Sequence, residues 1–307
     1  MSKKAYLLLL ATTLFWAGNA VAGKLAVGHV SPMILNMARW SFMLAVLVMI
    51  GHRQLSKDWA AIRDGWWFLL FTGMLGFTIF GVAMYSALLY TSATNVSIEQ
   101  GGIPLFVFLA SFLLFRARTT AGQIAGFLLS FLGVVVTATN GDIRSLVHLE
   151  MNFGDALMLL AIVAFGFYTA IILRKSDMHW ISLMTALCIG ATLSAIPFVA
   201  LEAAVGAAIP PDSQGWLIIA YAVIFPSLLA QAFYVRAVEL IGPNRAGVFI
   251  NFLPVWGTVL ALLILGEAFR THHAVALALV VAGVLLAEVS GYRAEAAREN
   301  TPGRATL

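Results

Sequence analysis

Apolar residues run along this chain in ten blocks, each parted from the next by a short polar gap. The blocks occupy 5–27, 32–51, 66–88, 94–115, 119–139, 153–173, 180–201, 215–235, 246–265 and 271–290. A helix rising about 1.5 Å per residue crosses the hydrocarbon of a bilayer with about 20 mostly apolar residues. Each block therefore predicts one transmembrane helix, and the chain reads as an all-α polytopic membrane protein. The longest gap is only about a dozen residues, too short for a soluble domain between spans.

Composition agrees. Of 307 residues, 61% are hydrophobic and 10% charged, against roughly 45–50% and about 25% in soluble proteins. Mean hydropathy is +0.94. Cys188 is the only cysteine, which excludes a disulfide scaffold. The net charge of +4 marks no nucleic-acid surface. Of the 18 Lys and Arg residues, those from Lys3 and Lys4 through Arg304 gather in the gaps on one side of the ten spans. Lys24, Arg144 and Arg270 fall on the other side, and Arg39 lies within a span. Basic gaps face the cytoplasm, so both termini are expected there, in an inner membrane. Lys3-Lys4 and Ala20-Val21-Ala22 mimic a cleavable leader, but the apolar run continues past that point and predicts a retained helix.

An interval of 150 residues aligns Ala87-Leu88 with Ala237-Val238, Pro104 with Pro254, and Gly133-Val134 with Gly283-Val284. The expected organisation is one five-helix repeat over 1–150, a second over 151–292, and a cytoplasmic tail over 293–307. Five spans is an odd number, so the second repeat is inverted. Inverted repeats mark secondary transporters with a substrate site near the midplane.

Trp16-Ala17-Gly18-Asn19, Arg39, Pro254 and Leu265-Gly266-Glu267 carry a resemblance. The chain resembles the EamA-type branch of the drug/metabolite transporter superfamily, and within it is most similar to YddG-type exporters of aromatic amino acids. That resemblance implies ten helices in two inverted halves and a central cavity lined by helices 1, 3, 4, 6, 8 and 9. One departure is that Phe115-Arg116-Ala117 stands where the second half has Leu-Gly-Glu.

Residues three, four and seven apart share a helix face. Such faces join Thr12, Trp16, Asn19 and Gly23; Thr78, Gly81 and Tyr85; Asn95, Glu99 and Gly102; Ser227, Gln231 and Tyr234; and Gly247, Asn251, Pro254 and Thr258. The cavity candidates are Trp16, Asn19, Thr78, Tyr85, Glu99, Gln100, Tyr168, Gln231, Asn251 and Trp256. The competing reading is interhelical packing, since helix 7 carries a like stripe in Thr185, Cys188 and Thr192. A carboxylate at Glu99 must be paired, hydrated or protonated. An ion pair with Arg39 or Lys24 is the expectation; a contact to a substrate ammonium or a coupling proton is the alternative. Gln100-Gly101-Gly102-Ile103-Pro104 should break helix 4. The small-residue rows Gly122/Gly126/Ser130 and Ala274/Ala278/Ala282 are expected to pack within the bundle. His272-His273 is expected to cap helix 10, and no metal or cofactor motif is present.

These features point to a monomeric secondary transporter in the lipid bilayer. Its expected role is to export small amphipathic metabolites, aromatic amino acids foremost, by alternating access. The alternatives are a multidrug or other metabolite exporter and, from other classes, an intramembrane enzyme or a membrane scaffold.

Overall fold

The structure is a computed structural model that describes residues 2–116, 120–142, 152–172 and 177–299. Its described residues hold ten helices long and apolar enough to cross a membrane. They are α1 (Ser2–Leu25), α2 (Pro32–Asp64), α3 (Trp66–Ala87), α4 (Ala93–Phe115), α5 (Ala121–Ala138), α6 (Phe153–Ile172), α7 (Trp180–Ala204), α8 (Ser213–Ile241), α9 (Arg245–Leu265) and α10 (Thr271–Glu299). The helices follow the hydropathy blocks, though α8 and α10 run on past theirs and α2 farthest of all, to Asp64. Hydropathy marks where lipid ends, whereas the helix stops only where its backbone can leave it. Residues 52–64 continue with good helix formers and a Gln54 to Asp58 hydrogen bond one turn apart, until Gly65.

We call the end of the bundle where α1 begins the terminal end. The opposite end, where α1 meets α2 and α9 meets α10, is the distal end. At the distal end the Ser31 hydroxyl donates to Glu202 at 2.6 Å, and the Ser31 amide to Ile209 O at 3.0 Å.

Local irregularities recur at the 150-residue interval. Helix α3 widens into a π segment over Met74–Ile79, and α8 does so over Val223–Leu229. In α8 the cause is visible, because Pro226 has no N–H to give an α-type bond. Helix α4 breaks after Gln100 and resumes at Ile103, as its Gly-Gly-Ile-Pro sequence predicts. Helix α9 carries a 3-10 turn over Val248–Phe252 before Leu253–Leu265. Both α4 and α9 end in a left-handed residue, Arg116 at φ 53° and Gly266 at φ 65°.

Helices α5 and α10 pack backbone against backbone. A Cβ on Gly126 would meet the Gly283 carbonyl, and one on Gly133 would meet that of Ala276. The row Gly122/Gly126/Ser130 thus packs inside the bundle; Ser130 Oγ donates to Val280 O at 3.3 Å. The row expected from α10 is corrected. Ala274, Ala278 and Ala282 are exposed, and Ala276, Val280, Gly283 and Ala287 face α5 instead. Both sets have helical spacing, and only the partner's position chooses between them.

Candidate functional site

The deepest polar network joins α1, α2, α3 and α8 around Arg39. That side chain enters seven residues below Pro32, about 10 Å into the bundle from the distal end, and is 7% exposed. Its Nε donates to Ser227 Oγ at 2.8 Å and its Nη1 to Tyr85 Oη at 3.0 Å. The Tyr85 hydroxyl, so engaged as an acceptor, donates to Asn19 Oδ1 at 2.9 Å. The guanidinium lies 4.5 Å from the centre of the Trp40 ring, a favourable cation–π placement. Trp40 stacks on Phe77 with centroids 4.1 Å apart and donates to Asn36 Oδ1 at 3.1 Å.

Two sequence features build this network. The π segment of α8 places Ser227 so that its hydroxyl reaches Ala222 O, five residues back, while its oxygen accepts from Arg39. The Pro226 carbonyl takes the Trp16 indole N–H at 3.0 Å. Gly81 lets α3 approach α2, because a Cβ there would overlap Asn36 Oδ1. Among the described residues no carboxylate lies within ion-pair distance of Arg39. The Asn36 Nδ2 beside it is a buried donor without a partner. A buried cation and an idle donor with no anion make an acceptor-seeking site.

Of the residues anticipated for a cavity, the structure gathers Trp16, Asn19 and Tyr85 here. Gln231 lies nearby on α8, half-buried, its amide 3.6 Å from the Met184 sulfur. Thr78 turns the other way, into the seam with α7, and donates to Ala191 O at 2.9 Å. Tyr168 packs against Phe77 and Phe165 in the α3–α6 contact. Asn251 donates to Glu288 on α10 at 3.0 Å. Gln100 donates to its own helix at Val96 O, and the indole nitrogen of Trp256 is buried without a partner.

The expected ion pair of Glu99 is not made. Arg39 is committed to Ser227 and Tyr85. Lys24 Nζ donates to the carbonyls of Leu88 and Thr91, both at 2.8 Å. Both cations face α3 and the α3–α4 turn, while Glu99 is buried and bonds to neither. Shared depth in the bundle was not shared direction.

The sequence reading also passed over what Glu267 does. Its carboxylate accepts from the Ala93 N–H at 2.8 Å, the Thr94 N–H at 2.9 Å and the Thr94 hydroxyl at 2.6 Å, capping α4 from across the bundle. A carboxylate suits the positive end of a helix. Next to it His273, besides accepting the Arg270 N–H within its own turn, reaches Asn95 Oδ1 at 3.1 Å. These contacts join the distal halves of α4 and α9, which pack closely along Ala93–Gln100 and Leu253–Leu265. The counterpart 150 residues on would join the start of α9 to Ile103–Phe115 of α4. No comparable contact forms there among the described residues. Among the described residues the α4–α9 contact is closed at the distal end and has no packed counterpart at the other.

The EamA-like transporter family pattern fits residues 3–139 and again residues 152–288. The chain belongs to the EamA-like transporter family. This EamA-like transporter is 28% identical over 297 residues to an "Uncharacterized transporter" of Archaeoglobus fulgidus, covering 93% of this chain and 98% of that one. It is 24% identical over 293 residues to "Uncharacterized transporter YyaM" of Bacillus subtilis, covering 92% of each. A solved crystal structure, 21% identical, matches 96% of this chain and 100% of its own with a TM-score of 0.65, a likeness of fold.

Proposed function

We propose that this transporter exports small amphipathic carboxylates, aromatic amino acids foremost, by alternating access between two inverted halves, 1–150 and 151–292. The observation that carries the substrate class is Arg39: a buried cation with no anion among the described residues, set against Trp40 and Tyr85 with Trp16 on the next carbonyl beside Ser227. A carboxylate would complete its charge, and the rings would cover an aromatic group. Support for the inverted halves comes from the paired π segments and from the reciprocal contacts of Gly126 with Gly283 and Gly133 with Ala276. The basic residues argue that the terminal end and the 293–307 tail are cytoplasmic, so the end where α4 and α9 do not pack together faces the source of an exported substrate.

Liposomes containing the protein and loaded with a panel of radiolabelled amino acids test this. Efflux of aromatic amino acids, lost in Arg39→Met, is the expected result. Efflux that ignores the carboxylate, persisting for the corresponding amines, would overturn it. A second reading, export of apolar drugs, draws on a groove of about 830 Å³ between α1, α8 and α9. Its lining includes Phe15, Leu217, Phe225, Leu260 and Ile264. Apolar compounds in the same panel decide between the two.

A further inference from the structure

The groove between α1, α8 and α9 is bounded by a helix contact at each end. At the distal end the Gln214 amide donates to Leu25 O at 3.2 Å, and a Cβ on Gly215 would meet His29 O. Toward the terminal end Phe15 meets Phe225 edge-on with centroids 5.1 Å apart, and Thr12 Oγ1 donates to Ala230 O at 3.3 Å. Between these contacts α1 and α8 part. Tyr221 reaches across the gap, its hydroxyl so close over Gly18 that a Cβ there would overlap it.

The groove has the depth of one leaflet. Its lining on α1 runs from Leu14 to Leu25, about 16 Å of helix. The hydrocarbon of a bilayer is about 30 Å thick, so each leaflet contributes roughly half of that. Leu25 and Ser213 stand at the distal ends of α1 and α8, whereas Phe15 and Phe225 lie near the middle of both spans.

Polarity follows the same order. Ser213 and Gln214 mark the distal mouth, and beyond them the lining is apolar apart from Tyr221. Its rim belongs to the bilayer-facing surface: Leu217 is 72% exposed, and Leu25 and Ile264 are exposed as well. Water in so apolar a space costs free energy, and an empty space of about 830 Å³ forfeits dispersion contacts along its whole lining. The bilayer continuous with that rim supplies a filler of matching polarity and length.

We propose that the groove is a binding site for one acyl tail of a phospholipid in the distal leaflet. The tail enters alongside Leu217, runs between α1 and α8, and ends against Phe15 and Phe225. The ester groups of the lipid then lie level with Ser213 and Gln214. The seated tail backs Tyr221, which rests on Gly18, the residue before the Asn19 that accepts from Tyr85. Lipid thereby braces one face of α1 while a neighbouring face carries the network around Arg39. The site rests on the placement of the chain in a bilayer and not on the export reading.

Photocrosslinking in vesicles of the reconstituted protein tests this. The probe is phosphatidylcholine with a diazirine at one of two depths, beside the ester or at the tail end, and the marked residues are mapped by mass spectrometry. The ester-proximal probe should mark Leu25 and Leu217, and the tail-end probe Phe15 and Phe225. Both should mark the groove more heavily than Leu128 of α5, which is 63% exposed on the bilayer side. Marks as heavy on Leu128 as in the groove would overturn the proposal, as would the reverse order of depth. Neither result needs a variant to fold. Leu260→Trp, which fills the groove from α9, should abolish the mark on Phe15 and spare that on Leu128. A mark on Phe15 that survives this change would place the tail outside the groove and overturn the proposal. Displacement of the groove marks by a trace of an apolar drug would also overturn it, giving the groove to the second reading above. Failure of every transport assay with the marks intact would count against the export reading alone.

Discussion

Replacing Glu267 by Gln should unlatch the distal end. The carboxylate accepts three hydrogen bonds from Ala93 and Thr94, and the amide keeps one acceptor oxygen while turning an N–H toward the remaining donors. Hydrogen bonds to a charged group contribute about 1.5–3 kcal/mol each, and the charge at a helix N-terminus a further ~0.3–1 kcal/mol. Glu267 is half-exposed, so water replaces part of the loss. A net cost of about 2 kcal/mol to the shut state remains, roughly a 30-fold rise in the open fraction. The chain has one cysteine, Cys188, and it is buried. A Cys188→Ala background with Ala93→Cys therefore gives a single reporter beneath the cap. If opening is fast relative to reaction, the labelling rate follows the open fraction. Glu267→Gln should raise that rate by roughly 30-fold, with Glu267→Asp intermediate. An unchanged rate would refute the idea that this cap holds the distal end shut.

Gly81→Ala should destabilise the detergent-solubilised protein by about 1–3 kcal/mol, because the added methyl displaces Asn36 and with it the Trp40 hydrogen bond. Thermal unfolding checks this, and a melting temperature equal to the parent's would mean α2 and α3 can separate freely. A reporter enzyme fused after Leu307 should be active only as a cytoplasmic fusion; periplasmic activity would contradict the orientation. The Asp212 carboxyl, exposed at the distal end, is held below its ordinary range by hydrogen bonds from His29 and the Gly215 amide. A depressed value means the tether is fully present above the ordinary carboxylate range and is lost as pH falls through the lowered one. Hydrogen exchange at Ser31 should therefore rise in the parent as pH falls through the lowered range, while Asp212→Asn should show raised exchange at neutral pH and no further rise from this group on acidification.

The spans were legible because lipid demands a long apolar run, and ten such runs stand out against short gaps. The break in α4 was legible from Gly101-Gly102 and Pro104. Side-chain direction was not. Thr78 and Tyr85 share a face on a regular α-helix, yet Thr78 sits inside the π segment and Tyr85 in the α-helical turns after it, so Thr78 meets α7 while Tyr85 meets Arg39. Position along the bundle suggested that Glu99 could reach Arg39 or Lys24. Which neighbour each side chain turns to depends on helix rotation, which spacing does not encode. Glu267 was visible as part of a Leu-Gly-Glu sequence, but its partner at Ala93 lies 174 residues away. Only the contrast with Ala117 in the first half hinted that one end of the bundle carries a fastener the other lacks.

The π segments have a bearing on how such a chain can change length. Each holds one residue more than a regular α-helical turn needs. A single-residue deletion inside Met74–Ile79 would therefore be absorbed as a plain helix, leaving both ends of α3 near their places in the bilayer. Everything beyond it would keep its rotation about the helix axis, whereas the same deletion in a plain α-helix would swing it by about a hundred degrees. Tyr85 would stay on Arg39 and Asn19. The same holds in α8, where Ser227 sits within Val223–Leu229. Slack of this kind lets a membrane protein gain or lose a residue within a span while the side chains facing its interior keep their posts and its loops do not shift.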